Sequence, residues 1–217
     1  MKKLIIICEG QTEQSFCKKI LKDHLKQFNI EIEYPLISHS DGGIVKWIHL
    51  KTQIESTLTI NPEYYVTTFI DYYGMEFHHD FPSWNITLSQ SDKSDRMDTL
   101  ENGMINDLTA SMKPQFIPFV QLHEFEALVF SDYDKFEDYY ESSEANFGAL
   151  SVICKANPNP ETINDSPLTA PSKRLSTNIR RYDKIDHGVD ICELIGLVTM
   201  RTKSPRFDKW IDNLEHI

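Results

Sequence analysis

Leu4-Ile5-Ile6-Ile7-Cys8-Glu9-Gly10-Gln11-Thr12-Glu13 is the stretch whose reading decides the fold. The apolar run from Leu4 to Cys8 has the length of a buried strand, and Gly10 turns the chain into a segment of helical periodicity. A strand passing straight into a helix is half of a βαβ unit and implies a parallel sheet. Glu9 is thereby delivered to the carboxyl end of a strand, where sites collect in open α/β sheets. Glu13 opens the helix that follows. Two readings of these residues stand side by side. In one, Thr12 is an N-cap, and Glu13 and Gln14 complement the helix dipole; in the other, Glu9 and Glu13 belong to a site.

Downstream, Phe16, Cys17, Ile20, Leu21, Leu25 and Phe28 recur at helical spacing, with Lys18, Lys19, Lys22 and Lys26 on the opposite, solvated face. Glu31 to Ile37 reads as a strand, and Pro35 puts it at a sheet edge. His39 to Gly43 reads as a loop, and Ile44 to Leu58 as a second helix. Tyr64 to Ile70 is rich in β-branched and aromatic residues, reads as a strand and ends on Asp71. Alternating strands and helices imply right-handed parallel crossovers, so the strands' carboxyl ends share one edge and Glu9 and Asp71 face one crevice.

The segment Tyr72 to Asp92 is long and irregular, which marks it as functional. It contains His78-His79-Asp80, which are metal-ligating types, although adjacent histidines on a loop usually point apart. Asp95 to Ser111 reads as a helix, and Phe116 to Leu122 as a third strand running into His123-Glu124-Phe125-Glu126. Beyond it the chain is mainly helical. Asn159-Pro160-Glu161 reads as a capped helix start, Ser172 as the cap of the helix holding Lys173, Arg174 and Leu175, and Pro205 to Trp210 as a final short helix. The expected organisation is an α/β core over residues 1–135, with helices on both faces of a mostly parallel sheet, and a helical region over 136–217 packed on it.

At 217 residues and 40% hydrophobic content the chain can bury a full core. Its formal charge of -11 is uneven: residues 166–217 hold 9 Lys+Arg against 7 Asp+Glu, and the first 165 hold 13 against 26. A basic tail follows an acidic body. The four cysteines, Cys8, Cys17, Cys154 and Cys192, have neither CxxC nor secreted-scaffold spacing and read as reduced cytosolic thiols. No apolar run approaches the roughly 18 residues of a membrane span, and the N-terminus lacks the pattern of a signal peptide. A soluble, cytoplasmic protein is expected.

The strands thus end at acids: Glu9 with Glu13, Asp71, and Glu124 with Glu126. Carboxylates gathered on one crevice repel one another unless a cation sits among them, and oxygen-only ligands favour Mg²⁺ or Mn²⁺. Such an ion typically works on phosphate, which makes phosphodiester hydrolysis or another phosphoryl transfer the natural chemistry. Glu9 reads as a metal ligand or general base, and Asp71, Glu13 and Glu126 as further ligands. Because Glu124 and Glu126 are two apart, only one is expected to point inward on a helix. His123 reads as a structural histidine or a proton-transfer group. Lys173 and Arg174 could neutralise phosphate charge, and Arg180, Arg181, Lys184, Arg201, Lys203 and Arg206 could supply a nucleic-acid footprint. A solvated helix start explains the first two equally well, and Arg206 could pair with an acid instead. Phe207 and Trp210 read as packing.

Glu9-Gly10-Gln11-Thr12-Glu13, Asp71-Tyr72-Tyr73-Gly74 and Gln121-Leu122-His123-Glu124-Phe125-Glu126-Ala127-Leu128, each after a strand, resemble the domain-of-unknown-function 4276 family of bacteria. So do Pro171-Ser172-Lys173-Arg174-Leu175, Tyr182-Asp183-Lys184, His187-Gly188, Ile195-Gly196-Leu197 and Ser204-Pro205-Arg206-Phe207. That family is similar to the Toprim superfamily and, within it, to nucleases of the overcoming-lysogenisation-defect type. The resemblance implies a Rossmann-like Toprim sheet, with a glutamate after the first strand and an Asp-x-Asp after a later one together binding Mg²⁺. Glu9 and Glu13 match the first motif and Asp71 the first aspartate of the second. Tyr73 stands where the second aspartate belongs, and Glu126 or Glu124 is the candidate substitute. It further implies an ABC- or AAA-type ATPase partner in anti-phage defence, a DNA or RNA substrate, and room for a homodimer. The expected function is an Mg²⁺-dependent nuclease. The alternatives are a non-catalytic module docking on an ATPase or phage component, and a nucleotidyl or phosphoryl transferase acting on a small molecule.

Overall fold

The structure, a computed structural model, describes residues 1–40, 43–164, 166 and 168–217; Asp41 and Gly42 of the expected loop lie outside the described residues. The chain forms two compact units, Met1–Leu122 with Asp212–Ile217, and His123–Ile211.

In the first unit, β1 (Lys2–Cys8) leads into α1 (Gln11–Phe16), which continues through a π turn, Cys17–Leu21, into α2 (Lys22–Lys26). There follow β2 (Ile30–Glu33), α3 (Trp47–Ile60), β3 (Tyr65–Asp71), α4 (Trp84–Ser89), α5 (Lys93–Asp107), β4 (Phe116–Ile117) and β5 (Val120–Gln121). The five strands are all parallel, in the order β2-β1-β3-β4, with β5 also on β3. The mixed α/β class expected from the alternating pattern is the one found.

Side-chain alternation along the strands divides the core. Ile5, Ile7, Val66, Ile70 and Val120 form one face, packed with Trp47, Leu50, Ile54 and Leu58 of α3 and Met97, Leu100 and Met104 of α5. On the other, Phe16 of α1 meets Phe69 edge-on at 5.8 Å, and Phe69 meets Phe119 at 5.9 Å. Each such side chain, fully buried, contributes about 1.5–3 kcal/mol. Cys8 and Cys17, both free and buried, bring their sulfurs to 3.9 Å. His24 Nε2 and Glu215 Oε1, 2.6 Å apart, tie the returning C-terminus to α2.

Several expected boundaries shift for identifiable reasons. β2 stops at Glu33 rather than Ile37: Pro35 has no N–H for a ladder, and beyond it only an isolated Leu36–Cys8 bridge remains. The edge position that Pro35 implied is where β2 lies. α3 begins at Trp47 instead of Ile44. Asp92 Oδ1 accepts from the Ser94 and Asp95 amides and starts α5 early. Phe28, expected on the apolar face, is exposed. The segment after β3 is not wholly irregular, since it holds a 3₁₀ turn, Phe77–His79, and α4.

The third strand is interrupted at Pro118, but register is kept: Val66 faces Phe116 and Ile70 faces Val120. Threonine hydroxyls fill the gap. Thr68 Oγ1 accepts from the Phe119 amide and donates to the Phe119 carbonyl, both at 3.0 Å, and Thr67 Oγ1 donates to the Ile117 carbonyl. That accounts for two wholly buried threonines in a core strand.

The second unit is mainly helical. It opens on a 3₁₀ segment, Phe125–Ser131, buried along its whole length, with α6 (Asp134–Tyr139), α7 (Phe147–Ala156), α8 (Pro171–Asn178), α9 (Val189–Ile195) and α10 (Leu197–Lys203) around it. α11 (Pro205–Glu215) closes the chain. The division between the compact units falls at Leu122/His123, and the buried 3₁₀ segment packs with α7, α8, α9 and α10 within the helical unit. Among the described residues, no helix is long and apolar enough to cross a membrane.

Thr68→Val, nearly isosteric, deprives the Phe119 N–H and C=O of their partner. Urea denaturation should show a loss of about 1–3 kcal/mol, the cost of buried unsatisfied groups.

Candidate active site

From β1 the chain crosses to β2 on one side, and from β2 it crosses back to β3 on the other. Such a reversal opens a crevice outside the carboxyl ends of the central strands, here β1 and β3. Glu9 directly follows β1 and Asp71 ends β3. The Glu9 amide donates to the Phe69 carbonyl at 3.1 Å, the last backbone bond of the β1–β3 pairing. One step on, Glu9 Oε2 accepts from the Asp71 amide at 2.9 Å. The two acids assigned to one crevice from sequence are therefore in direct contact, carboxylate to backbone.

Glu13 is buried, and its Oε2 accepts from the Gly10 amide at 2.8 Å. A Cβ at position 10 would stand 3.2 Å from that oxygen, so glycine lets the carboxylate close on the turn. The helix starts at Gln11 with Gly10 as N-cap. Thr12, read as the cap, lies inside the first turn and is buried.

A residue overlooked from sequence completes the row. Gln121, at the end of β5, is in register with Asp71, and its carbonyl accepts from the Tyr72 amide at 2.9 Å. Registered neighbours in a parallel ladder project from the same face, which sets the Gln121 carboxamide beside the Asp71 side chain. Gln121 is 0% exposed, and neither its Oε1 nor its Nε2 has a hydrogen-bond partner among the described residues. The signal available was a polar amide closing an apolar strand, Phe119-Val120-Gln121-Leu122.

The donors at this point are oxygens: the carboxylates of Glu9, Glu13 and Asp71 and the Gln121 amide. That set suits a hard divalent cation, and a buried carboxamide without a partner is the kind of group such an ion satisfies. Tyr73 is 40% exposed and brings no ligand oxygen of this type. The other metal-ligating types do not gather here. His78 pairs with Glu76 at 3.2 Å, and His79 Nδ1 accepts from the Glu76 amide. Their rings lie 4.0 Å apart rather than pointing away from each other. Asp212, Glu215 and His216 hold ligand atoms within 4.8 Å of one another. They are neighbours on the last helical turn, with Glu215 already bonded to His24 and His216 Nδ1 to the Asp212 carbonyl.

In the second unit both Glu124 and Glu126 are buried, where only one was expected to turn inward. The reason is local: Glu124 precedes the 3₁₀ segment instead of lying on it. Its two oxygens accept from the Ser172 amide at 3.0 Å and the Ser172 hydroxyl at 2.9 Å. Glu124, not Ser172, thus caps the start of α8. Glu126 lies within the 3₁₀ segment, and burial, followed by the charge of Glu126, pushes the Tyr182 phenol well above its ordinary range. His123 is buried at φ 75°, a left-handed conformation strained for a bulky residue.

Lys173, Arg180, Arg181 and Lys184 are exposed. Arg174 is committed to structure, its guanidinium donating to the Thr169 carbonyl at 2.8 Å and the Ile163 carbonyl at 3.2 Å. Glu161, read as part of a helix start, sits in a 3₁₀ turn and accepts from the Arg206 and Phe207 amides at the N-terminus of α11. Phe207 and Trp210 are buried and pack at 5.7 Å.

These features define a parallel α/β protein with acidic residues directly at the carboxyl ends of its two central strands. The chain belongs to the family described as domain of unknown function DUF4276, whose family model matches residues 8–215. Its structure is similar to the C-terminal region of the Burkholderia pseudomallei OLD protein, with 13% identity over 97% of this chain and 98% of that one and a TM-score of 0.44. No curated protein matches the sequence.

Burial pushes the Glu161 carboxyl up, opposed by the two amides it accepts from. A raised folded pKa makes its stability contribution fully present below the ordinary value near 4.5 and lost as pH rises through the folded value. Denaturant titrations at stepped pH should show wild type losing stability relative to Glu161→Gln across that interval, with the difference constant above it.

Proposed function

We propose that this protein is a divalent-metal-dependent nuclease that hydrolyses phosphodiester bonds in DNA or RNA in the cytoplasm. The observation that carries the reading is the contact between the Glu9 carboxylate and the Asp71 amide at the carboxyl ends of β1 and β3. It fixes one acid against the strand that delivers the other, so both are oriented before substrate arrives. Glu9, Glu13 and Asp71 are the residues that would hold Mg²⁺ or Mn²⁺. When bound, the ion would polarise a phosphoryl oxygen and make a water nucleophilic near neutral pH. Glu9, anchored through one oxygen, would orient an attacking water or take its proton with the other. The Gly10 turn holds Glu13 in the same loop. This proposal rests on the first unit alone.

Sequence resemblance supports an extension in which the nuclease is the effector of an anti-phage system with an ABC- or AAA-type ATPase. A second reading is favoured by Tyr73, exposed where the motif expects an aspartate: a non-catalytic module that docks on such an ATPase.

Cleavage of single- and double-stranded DNA and RNA with added Mg²⁺ or Mn²⁺ separates the two. Glu9→Gln and Asp71→Asn should each lower the rate by at least about 100-fold, a loss on the scale of removing a group that acts in the transition state, with unchanged circular dichroism. Cleavage that survives both substitutions would refute the site. No cleavage, with stable co-purification of the ATPase, would favour the docking module.

Lys173, Arg180, Arg181 and Lys184 support a backbone contact surface in the second unit. Replacing Arg180 and Arg181 by Glu should weaken nucleic-acid binding across sequences and flatten the dependence of log affinity on log salt by about one per contact removed.

A further inference from the structure

We propose that Gln121 is itself a ligand of the cation, its carbonyl oxygen replacing the second carboxylate of the acidic motif that Tyr73 does not provide. This rests on the metal-dependent reading above and adds to it a neutral residue to which that reading gave no role.

The argument begins with what burial of a carboxamide demands. A glutamine side chain offers two acceptor lone pairs on Oε1 and two N–H donors on Nε2. In a wholly buried position these groups lose water, and each left unpaired raises the free energy of the fold. Gln121 leaves both atoms without a partner among the described residues. Other buried hydroxyls in that state, on Thr87, Ser131, Tyr182 and Ser204, are single rotatable groups. Gln121 is the carboxamide among them, and it stands at a strand end beside Asp71. A packing role would be served better by Met or Leu, which bring the same bulk without the polar atoms. A wholly buried amide with neither atom paired is therefore suited to a polar or charged ligand. In a row with Glu9 and Asp71 across the ends of β1, β3 and β5, a hard cation is the group that takes an amide oxygen as readily as a carboxylate. The neutral ligand also lowers the negative charge packed at one edge, which moderates affinity, since ligand charge count tunes binding of such ions.

The test uses the full chain and Mn²⁺ alone, read by calorimetric titration and by thermal unfolding in EDTA. Wild type, Gln121→Met, Gln121→Glu and Asp71→Asn are compared. Gln121→Met should weaken Mn²⁺ binding by about 10–100-fold, as loss of a metal-site partner does. In EDTA the same variant should melt higher by about 2–8 °C, because unsatisfied buried polar atoms are removed. Gln121→Glu should tighten Mn²⁺ by about 10-fold through added ligand charge. Unchanged Mn²⁺ affinity in both Gln121 variants, with affinity lost in Asp71→Asn, would overturn the assignment of Gln121 and leave the metal-dependent reading standing. A lower melting temperature of Gln121→Met in EDTA would also overturn it, since the amide would then be structural. If Gln121→Met does not fold, Gln121→Glu decides by affinity alone. No Mn²⁺ uptake by wild type would remove the metal-dependent reading itself and this inference with it.

Discussion

Where β1 leaves the sheet at Gly10, the Asp71 amide on β3 has no further β1 backbone to donate to, and the Glu9 side chain takes that place. This substitution of a carboxylate for a carbonyl is the constraint on which the site depends. It extends the β1–β3 pairing by one residue beyond the β1 backbone and pins a charged group at the strand switch point. The same step brings Asp71 and Glu13 to that edge. Carboxylates placed this way repel one another, and what makes the arrangement tolerable is either a cation or donors that share the charge. Backbone amides already supply part of that sharing, through Asp71 N–H to Glu9 and Gly10 N–H to Glu13.

How much of this was legible in the sequence follows from how local each cause is. β1 and β3 were readable because central parallel strands are buried on both faces and write themselves as continuous apolar runs. Glu9 and Asp71 were readable for the same reason, as the first acids after those runs. The third strand was read as one element, although Pro118 divides it. Its continuity depends on Thr67 and Thr68 hydroxyls about fifty residues away, and nothing in Phe116-Ile117-Pro118-Phe119 announces them. Gln121 escaped because its meaning lies in the β3–β5 register, not in its neighbours along the chain. The part played by Phe125–Ser131 was hidden for a related reason: a 3₁₀ segment buried along its whole length has no amphipathic period to reveal which elements pack on it.

Acids in the second unit show why residue type alone did not assign roles. Glu124 and Glu161 look, in sequence, like any other candidates for a ligand or a surface charge. Each instead serves a helix N-terminus, Glu124 at Ser172 and Glu161 at Arg206 and Phe207, where exposed amides and the helix dipole favour a carboxylate. The partners are 48, 45 and 46 residues distant, beyond any local capping motif. Both oxygens of each are engaged, so these buried acids are satisfied by the fold itself.

The same distinction governs the basic tail. Its net charge counts Arg174 and Arg201 as though they faced solvent, yet Arg174 ties two backbone carbonyls together and Arg201 Nε bonds Asp208 at 2.6 Å. A guanidinium that satisfies buried carbonyls keeps its charge but cannot also lie along a phosphate backbone, because its planar fork of donors is fixed in direction. The electrostatic surface is therefore narrower than the sequence count; of the tail cations named for it, Lys173, Arg180, Arg181, Lys184 and Lys203 are exposed. Arg180 and Arg181 are held there by the backbone: the Arg180 amide donates to the Glu144 carbonyl at 2.7 Å, beside the Ala145–Ile179 bridge, and Arg181 turns at φ 57°. A bridge followed by a left-handed residue presents two adjacent cations on a fixed turn instead of a flexible tail, so their backbone has little ordering entropy left to lose.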